Sequence, residues 1–243
     1  MQKASERTLR QTDPYRLALY FGRRQHPAPA STDDLNRIRE IADEMLRSGA
    51  ADQTEWALNL SGLVHDRSGR DHLKESRADQ AKAEFNLALR DFELAYRLNP
   101  DFSPAHINRG WALLHLGDRQ ASIEEFRKSI DVHKARGIPP YLDSYIGLGF
   151  AYLDLQDAEN AIANLKTAKC VEPNYVDPRN EDDAYAGLIK AFQLKTDSKA
   201  KDKVIKLREC LKDGRRYDLC RLQTEDDSER SGSASSNGLT MCD

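Results

Sequence analysis

Side chains able to do acid–base, nucleophilic or metal chemistry are plentiful in this chain, but they are not spaced for it. Its six histidines, at 26, 65, 72, 106, 115 and 133, are scattered. None forms the H-E-x-x-H pair that puts two ligands on one helix face, and no G-x-S-x-G, G-x-x-x-x-G-K-[ST] or G-x-G-x-x-G occurs. Adjacent acids such as Glu124–Glu125 and Asp226–Asp227 read as solvated faces or tail charge. Carboxylates on helices can always be paired on paper, so that pattern carries no specificity. The four cysteines, Cys170, Cys210, Cys220 and Cys242, include no C-x-x-C, which leaves zinc and thioredoxin-like chemistry without support. Reduced thiols are the expectation. The sequence therefore predicts no catalytic residue, no metal and no cofactor, and a chain that is not an enzyme.

What remains is architecture. Of 243 residues, 32% are charged, yet the net charge is only −3. Such a balance gives no global reason for nucleic acid or membrane as partner. The low aromatic share and the many Ala, Leu, Arg, Glu and Asp suit helices more than sheets. No stretch approaches the ~18 apolar residues of a membrane helix, so no membrane insertion is expected. The N-terminus lacks the apolar run of a signal peptide. Gln2 excludes myristoylation, and Cys242 stands second from the end rather than fourth, where prenylation would need it. A cytoplasmic location is the expectation.

"RGWALLHLGDRQASIEEFRKSI", 109–130, has a copy 39 residues on in "LGFAYLDLQDAENAIANLKTAK", 148–169. Gly110 falls on Gly149, Trp111 on Phe150, Leu116 on Leu155 and Asp118 on Asp157. Ser122 falls on Ala161, Phe126 on Leu165 and Ser129 on Ala168. Small stays on small and large on large while surface letters drift, which is the mark of stacked helical hairpins. Close antiparallel helices need small residues at the contact. Gly110 is expected to meet Ser122, with Leu113 and Phe126 filling the space beside them. Glycine inside a helix costs roughly 1 kcal/mol relative to Ala, so its recurrence points to packing.

This pattern resembles the tetratricopeptide repeat, a 34-residue helix–turn–helix unit. Gly110, Ser122, Phe126 and Ser129 fit its small, small, large, small series, and Gly149, Ala161, Leu165, Ala168 and Pro173 fit the next. A degenerate earlier copy pairs Gly62 with Ala88, Phe92, Ala95 and Pro100. It holds 14 residues more than the family spacing, which is expected to lengthen the turn or the second helix. The resemblance implies an all-α superhelix of antiparallel hairpins, about three repeats plus capping helices. The repeats are expected at about 53–102, 103–136 and 142–175, with capping helices at about 181–213, inside a repeat domain of 31–221. A weakly structured segment, 1–30, is expected before it and a disordered tail, 222–243, after it. Ser103–Pro104 reads as a cap residue followed by proline in the first turn, and Gly117 as the end of that helix.

The same resemblance places the first helix of each repeat on a concave groove. The groove residues it implies are Ile107, Asn108, Trp111, Leu114 and His115, then Asp143, Ile146, Phe150, Leu153 and Asp154, with Trp56, Asn59, Leu60 and Leu63 from the degenerate copy. Trp111 is expected to look outward, His106 to be packed, and the Arg109 head to reach water. Asn108 matches the family's carboxylate-clamp asparagine, but Asn59, Leu63, Asp143 and Gly147 do not match its flanking residues. The implied function is a protein–protein interaction scaffold or adaptor, with another protein or peptide segment as partner. The segment is expected to be apolar-anchored with some basic character. Nucleic acid is a weaker alternative, carried by a helix from Lys195 to Arg221 in which basic residues outnumber acidic ones 10 to 5. Self-association or an assembly role is another.

Overall fold

Apolar residues at spacings of three and four give each expected segment one face to bury, and burial of those faces builds the fold. The computed structural model describes residues 32–49, 53–171 and 184–212, with Asp13, Pro14 and Arg16. Its helices are α1 (Thr32–Ser48), α2 (Thr54–Lys74), α3 (Ala78–Leu98), α4 (Ser103–His115), α5 (Arg119–Ala135), α6 (Leu142–Asp154), α7 (Ala158–Val171), α8 (Ala184–Leu194) and α9 (Ser198–Lys212). No strand occurs among the described residues. The fold is all-α, as expected. The segments expected before residue 31 and after 221, and the loop at 172–183, lie outside the described residues, apart from the three named above.

The chain forms two units, Met1–Pro139 and Pro140–Asp243. In the first, α1 packs on α2, and the hairpins α2/α3 and α4/α5 stack through α3 on α4. Ile38, Ile41, Ala42 and Met45 of α1 meet Ala57, Leu60 and Val64 of α2. Phe92 packs with Ala88 and Ala112, and Ala95 with Phe102 and Ala105. In the second unit, the hairpins α6/α7 and α8/α9 stack through α7 on α8.

The recurring glycines hold these hairpins together, and their partner is the large residue rather than the small one. A Cβ on Gly110 would lie 2.7 Å from the Phe126 ring. Gly149 meets Leu165 the same way, and Gly62 meets Phe92. Ser122, expected opposite Gly110, is fully buried with its hydroxyl unpaired within the chain.

The degenerate first hairpin departs from expectation in an instructive way. Its turn is no longer than the others, and both helices are lengthened, to 21 residues each. A second lock, Gly69 against Phe85 at 2.7 Å, sits nearer the turn than Gly62 against Phe92. Seven residues separate the locks on each helix. Seven is close to two helical turns, so the added layer keeps the same face inward.

The four turns within hairpins share one design. Ser76, Gly117, Gln156 and Thr196 are left-handed, with φ of 59°, 83°, 61° and 58°. Each N–H bonds back three residues and the next N–H bonds back five, as in Gly117 to Leu114 (3.0 Å) and Asp118 to Leu113 (2.9 Å). Asp118, Asp157 and Asp197 then cap the following helix by accepting from Ala121, Asn160 and Ala200. Arg77 occupies that place in the first hairpin and provides no cap.

Two local expectations need correction. Ser103 does not cap α4, because Phe102 holds that place. The Ser103 hydroxyl instead reaches Ser129 Oγ at 2.9 Å, tying α4 to α5. The cysteines also differ from expectation. Cys170 and Cys210 are both disulfide-bonded, and no described cysteine is a free thiol.

Candidate functional site

Of the residues implied for a groove in the first unit, Asn59, Asn108 and His115 meet along a polar seam between α2 and α4. Asn59, Leu63, Asp66 and Arg70 recur at helical spacing on one face of α2. Asn108 donates to Asn59 Oδ1 at 2.8 Å, and His115 Nε2 lies 3.9 Å from Asp66 Oδ1. Arg70 Nε stands 2.9 Å from the other Asp66 oxygen. His115 stacks on Phe85 at 5.1 Å, so its ring is held rather than freely solvated. Asn59 Nδ2 and Asp66 Oδ1 are buried without a hydrogen-bond partner in the chain. Trp111 is half-buried and leans edge-on against Phe126 at 5.5 Å. Ile107 and Leu114 are buried. Leu60 belongs to the α1–α2 core, and Trp56 packs edge-on against Phe102 at 4.5 Å.

Beneath this seam the α4/α5 hairpin is pinned by one carboxylate. Glu125 accepts from Arg109 at 3.1 Å and from Lys128 at 2.8 Å, and meets His106 Nδ1 at 2.8 Å. His106 is packed, as expected, while the Arg109 head turns to Glu125 and not to water. Burial pushes the Glu125 carboxyl up. Its bonds to His106 and Lys128 and the nearby Arg109 charge outweigh that and bring it down to about 2. His65 and Glu84, at 2.7 Å, occupy the matching places of the first hairpin.

In the second unit the candidate site is an open cleft of about 560 Å³, lined by Phe150, Leu153, Asp154, Gln156, Lys190, Gln193 and Leu194. Three of the ten implied residues meet here. Lys190 Nζ hangs 5.0 Å from the centre of the Phe150 ring, a cation–π placement. Asp143 is exposed, and Ile146 is buried. The cleft thus offers apolar walls, one ammonium, one carboxylate and two amides, a composition suited to holding an apolar side chain and orienting the polar groups beside it.

Lys190, Gln193 and Leu194 were not foreseen, although the signal was present. Measured back from the turns at Gln156 and Thr196, they are the counterparts of Phe150, Leu153 and Asp154 one repeat later. The basic terminal helix is seen only to Lys212. Its Ala200, Val204, Leu207 and Leu211 are buried, while Lys199, Lys206 and Lys212 face outward. Lys195 pairs with Glu159 at 2.9 Å. Among the described residues no group of His, Cys, Asp or Glu could hold a metal, and no helix is long and apolar enough to cross a membrane.

A family model described as tetratricopeptide repeat matches residues 103–134 and 142–175. Among solved structures the chain is similar to the crystal structure of MamA protein, at 17% identity and a TM-score of 0.43, covering 82% of this chain and 96% of that one. It is also similar to the APC/C hetero-tetramer Cut9-Hcn1, at 14% identity and a TM-score of 0.48, covering 88% of this chain and 40% of that one. A comparison with curated proteins finds no match.

Proposed function

The chain carries tetratricopeptide repeats, and from that premise we propose that it is a non-catalytic adaptor whose second unit grips a partner segment between α6 and α8. The observation that carries this reading is the cleft itself. Equivalent positions of two successive first helices, Phe150, Leu153 and Asp154 with Lys190, Gln193 and Leu194, converge on one concavity. A partner offering one apolar anchor would set it against Leu194, which is 42% exposed, and against the narrow edges that the otherwise buried Phe150 and Leu153 show to the cleft. Its flanking polar groups would meet Asp154 and Lys190, so basic character alone is not what the cleft asks for. The seam at Asn59, Asn108 and His115 is proposed as a second contact face, in the first unit.

The disulfide state of Cys170 and Cys210 supports a working place in an oxidising compartment, since such bonds are rare where the cytosol keeps thiols reduced. That weighs against the cytoplasmic expectation.

Selection of a random peptide library on the full chain tests the adaptor reading. Enriched peptides should share an apolar anchor. Their affinity should fall by a hot-spot-sized ~2 kcal/mol for Phe150→Ala, and clearly for Leu194→Asp, a surface change that leaves the fold intact. Affinity indifferent to both, but lost when Lys199 and Lys206 are neutralised, would replace the cleft with the basic helix.

A further inference from the structure

The outer face of α3 carries an apolar stripe that the neighbouring hairpin lacks. Leu87, Leu94 and Leu98 are 39%, 39% and 58% exposed, and Ala83 is exposed beside them. At 100° per residue all four fall within one narrow sector, opposite the buried Ala81, Phe85, Ala88, Phe92 and Ala95. Counted from their turns, the places of Ala83 and Leu87 are held in α5 by Glu124 and Lys128. Those places are charged in α5 and are held by exposed Ala163 and Thr167 in α7, so among these helices only α3 carries an exposed leucine there. Exposed leucines in a row are costly to leave wet and mark an interaction surface.

The spacing of the stripe says what covers it. Ala83, Leu87, Leu94 and Leu98 are separated by 4, 7 and 4 residues, a pattern that reads the same in both directions. Two copies of α3 laid antiparallel about a two-fold axis place Leu87 against Leu94 of the second copy and Ala83 against its Leu98. Small meets large at the ends and leucine meets leucine inside, as an isologous contact requires. Arg90 and Glu93 border the same side of the stripe near its midpoint. The two-fold axis therefore brings Arg90 of each copy alongside Glu93 of the other. That carboxylate is already paired with its own Arg97 at 2.6 Å, so this contact adds to the leucine contact and does not replace it. The Arg90 charges nearest the axis are moderated by their own Asp91 carboxylates, 3.9 Å away. The extension of the first hairpin lengthens this face to 21 residues, about 30 Å.

We infer that the protein forms a two-fold homodimer through antiparallel α3–α3 contact along Ala83, Leu87, Leu94 and Leu98. This surface is separate from the cleft and does not rest on the adaptor reading. One helix pair lies at the small end of specific interfaces, so the dimer should dissociate at micromolar concentration.

Sedimentation equilibrium of the full chain, from about 1 to about 300 µM, tests it. Wild type should shift from monomer to dimer, and Leu87→Glu/Leu94→Glu should stay monomeric, with an unchanged thermal midpoint at concentrations where wild type is itself monomeric. A short bis-maleimide tests the register against wild type as blank. Arg90→Cys should cross-link to its own copy, whereas Arg97→Cys, about 20 Å from its mate along the helices, should not. Wild type monomeric throughout, or a dimer that survives the double glutamate, overturns the inference. So does equal cross-linking at both positions, or a monomeric wild type whose glutamate variant melts early, since the chain would then be covering its own stripe.

Discussion

Glu125 sits where His106, Arg109 and Lys128 converge, and its side chain is only 5% exposed. A carboxyl held at about 2, against an ordinary 4.5, binds its proton less readily folded than unfolded. Its contribution to stability is therefore complete above pH 4.5 and is lost as pH falls toward about 2. At 1.36 kcal/mol per pKa unit the contribution is about 3 kcal/mol. Glu125→Gln should cost about that much at neutral pH, by chemical denaturation followed through tryptophan fluorescence. The gap between wild type and variant should close between pH 4.5 and about 2; a gap constant with pH would show that the cost is packing and not charge. This residue was not visible as special in the sequence, where it read as half of an acidic pair. Side-chain size repeats along a chain and can be compared copy to copy. The three side chains that select one carboxylate come from two helices, and only folding brings them together. For the same reason Gly110 was legible as a packing residue, while its contact with the Phe126 ring was not.

At the scale of the element, all four hairpins turn on the same two residues, and the sequence writes them as Gly117-Asp118, Gln156-Asp157, Thr196-Asp197 and Ser76-Arg77. The second residue both closes the helix behind it and caps the helix ahead, and only Arg77 fails at the second task. Arg77→Asp should supply the missing acceptor to α3 and stabilise the protein by ~1 kcal/mol. Urea unfolding reads this directly, and a destabilised variant would mean that the Arg77–Glu75 ion pair matters more than the cap. Helix order and most boundaries were legible because capping, glycine and apolar spacing are local signals. The first hairpin was misread because Gly62 and Gly69 compete for one place. The distance from Gly69 to Ala81 already matched the later repeats, but a single-layer template cannot hold two locks. Half of the cleft was missed for a related reason. The α8 helix lacks a well-patterned partner in α9, so the groove positions were not carried one repeat further, to Lys190, Gln193 and Leu194.

At the scale of the whole molecule, the two units carry separate natural probes. Trp56 and Trp111, the only tryptophans, lie before Pro139, and all four cysteines lie after Pro140. Fluorescence therefore reports the first unit, while loss of a disulfide acts on the second. Circular dichroism sees the helices of both. Removing a native disulfide typically costs about 2–4 kcal/mol through the freedom it returns to the unfolded chain. Adding a reductant should thus lower the midpoint of part of the helical signal and leave the tryptophan transition in place. Glu125→Gln should do the opposite, moving the tryptophan transition and sparing the remaining helical signal. Such a double dissociation would mean that two-state accounting holds for each unit and not for the chain. If reductant and Glu125→Gln both move both signals together, the units unfold as one cooperative body. If reductant moves neither signal, the bonds at Cys170 and Cys210 either do not form or do not stabilise the fold, and the oxidising-compartment reading loses its support. Alkylation of the denatured, unreduced chain separates those last two cases, because a thiol that labels before reduction was never bonded.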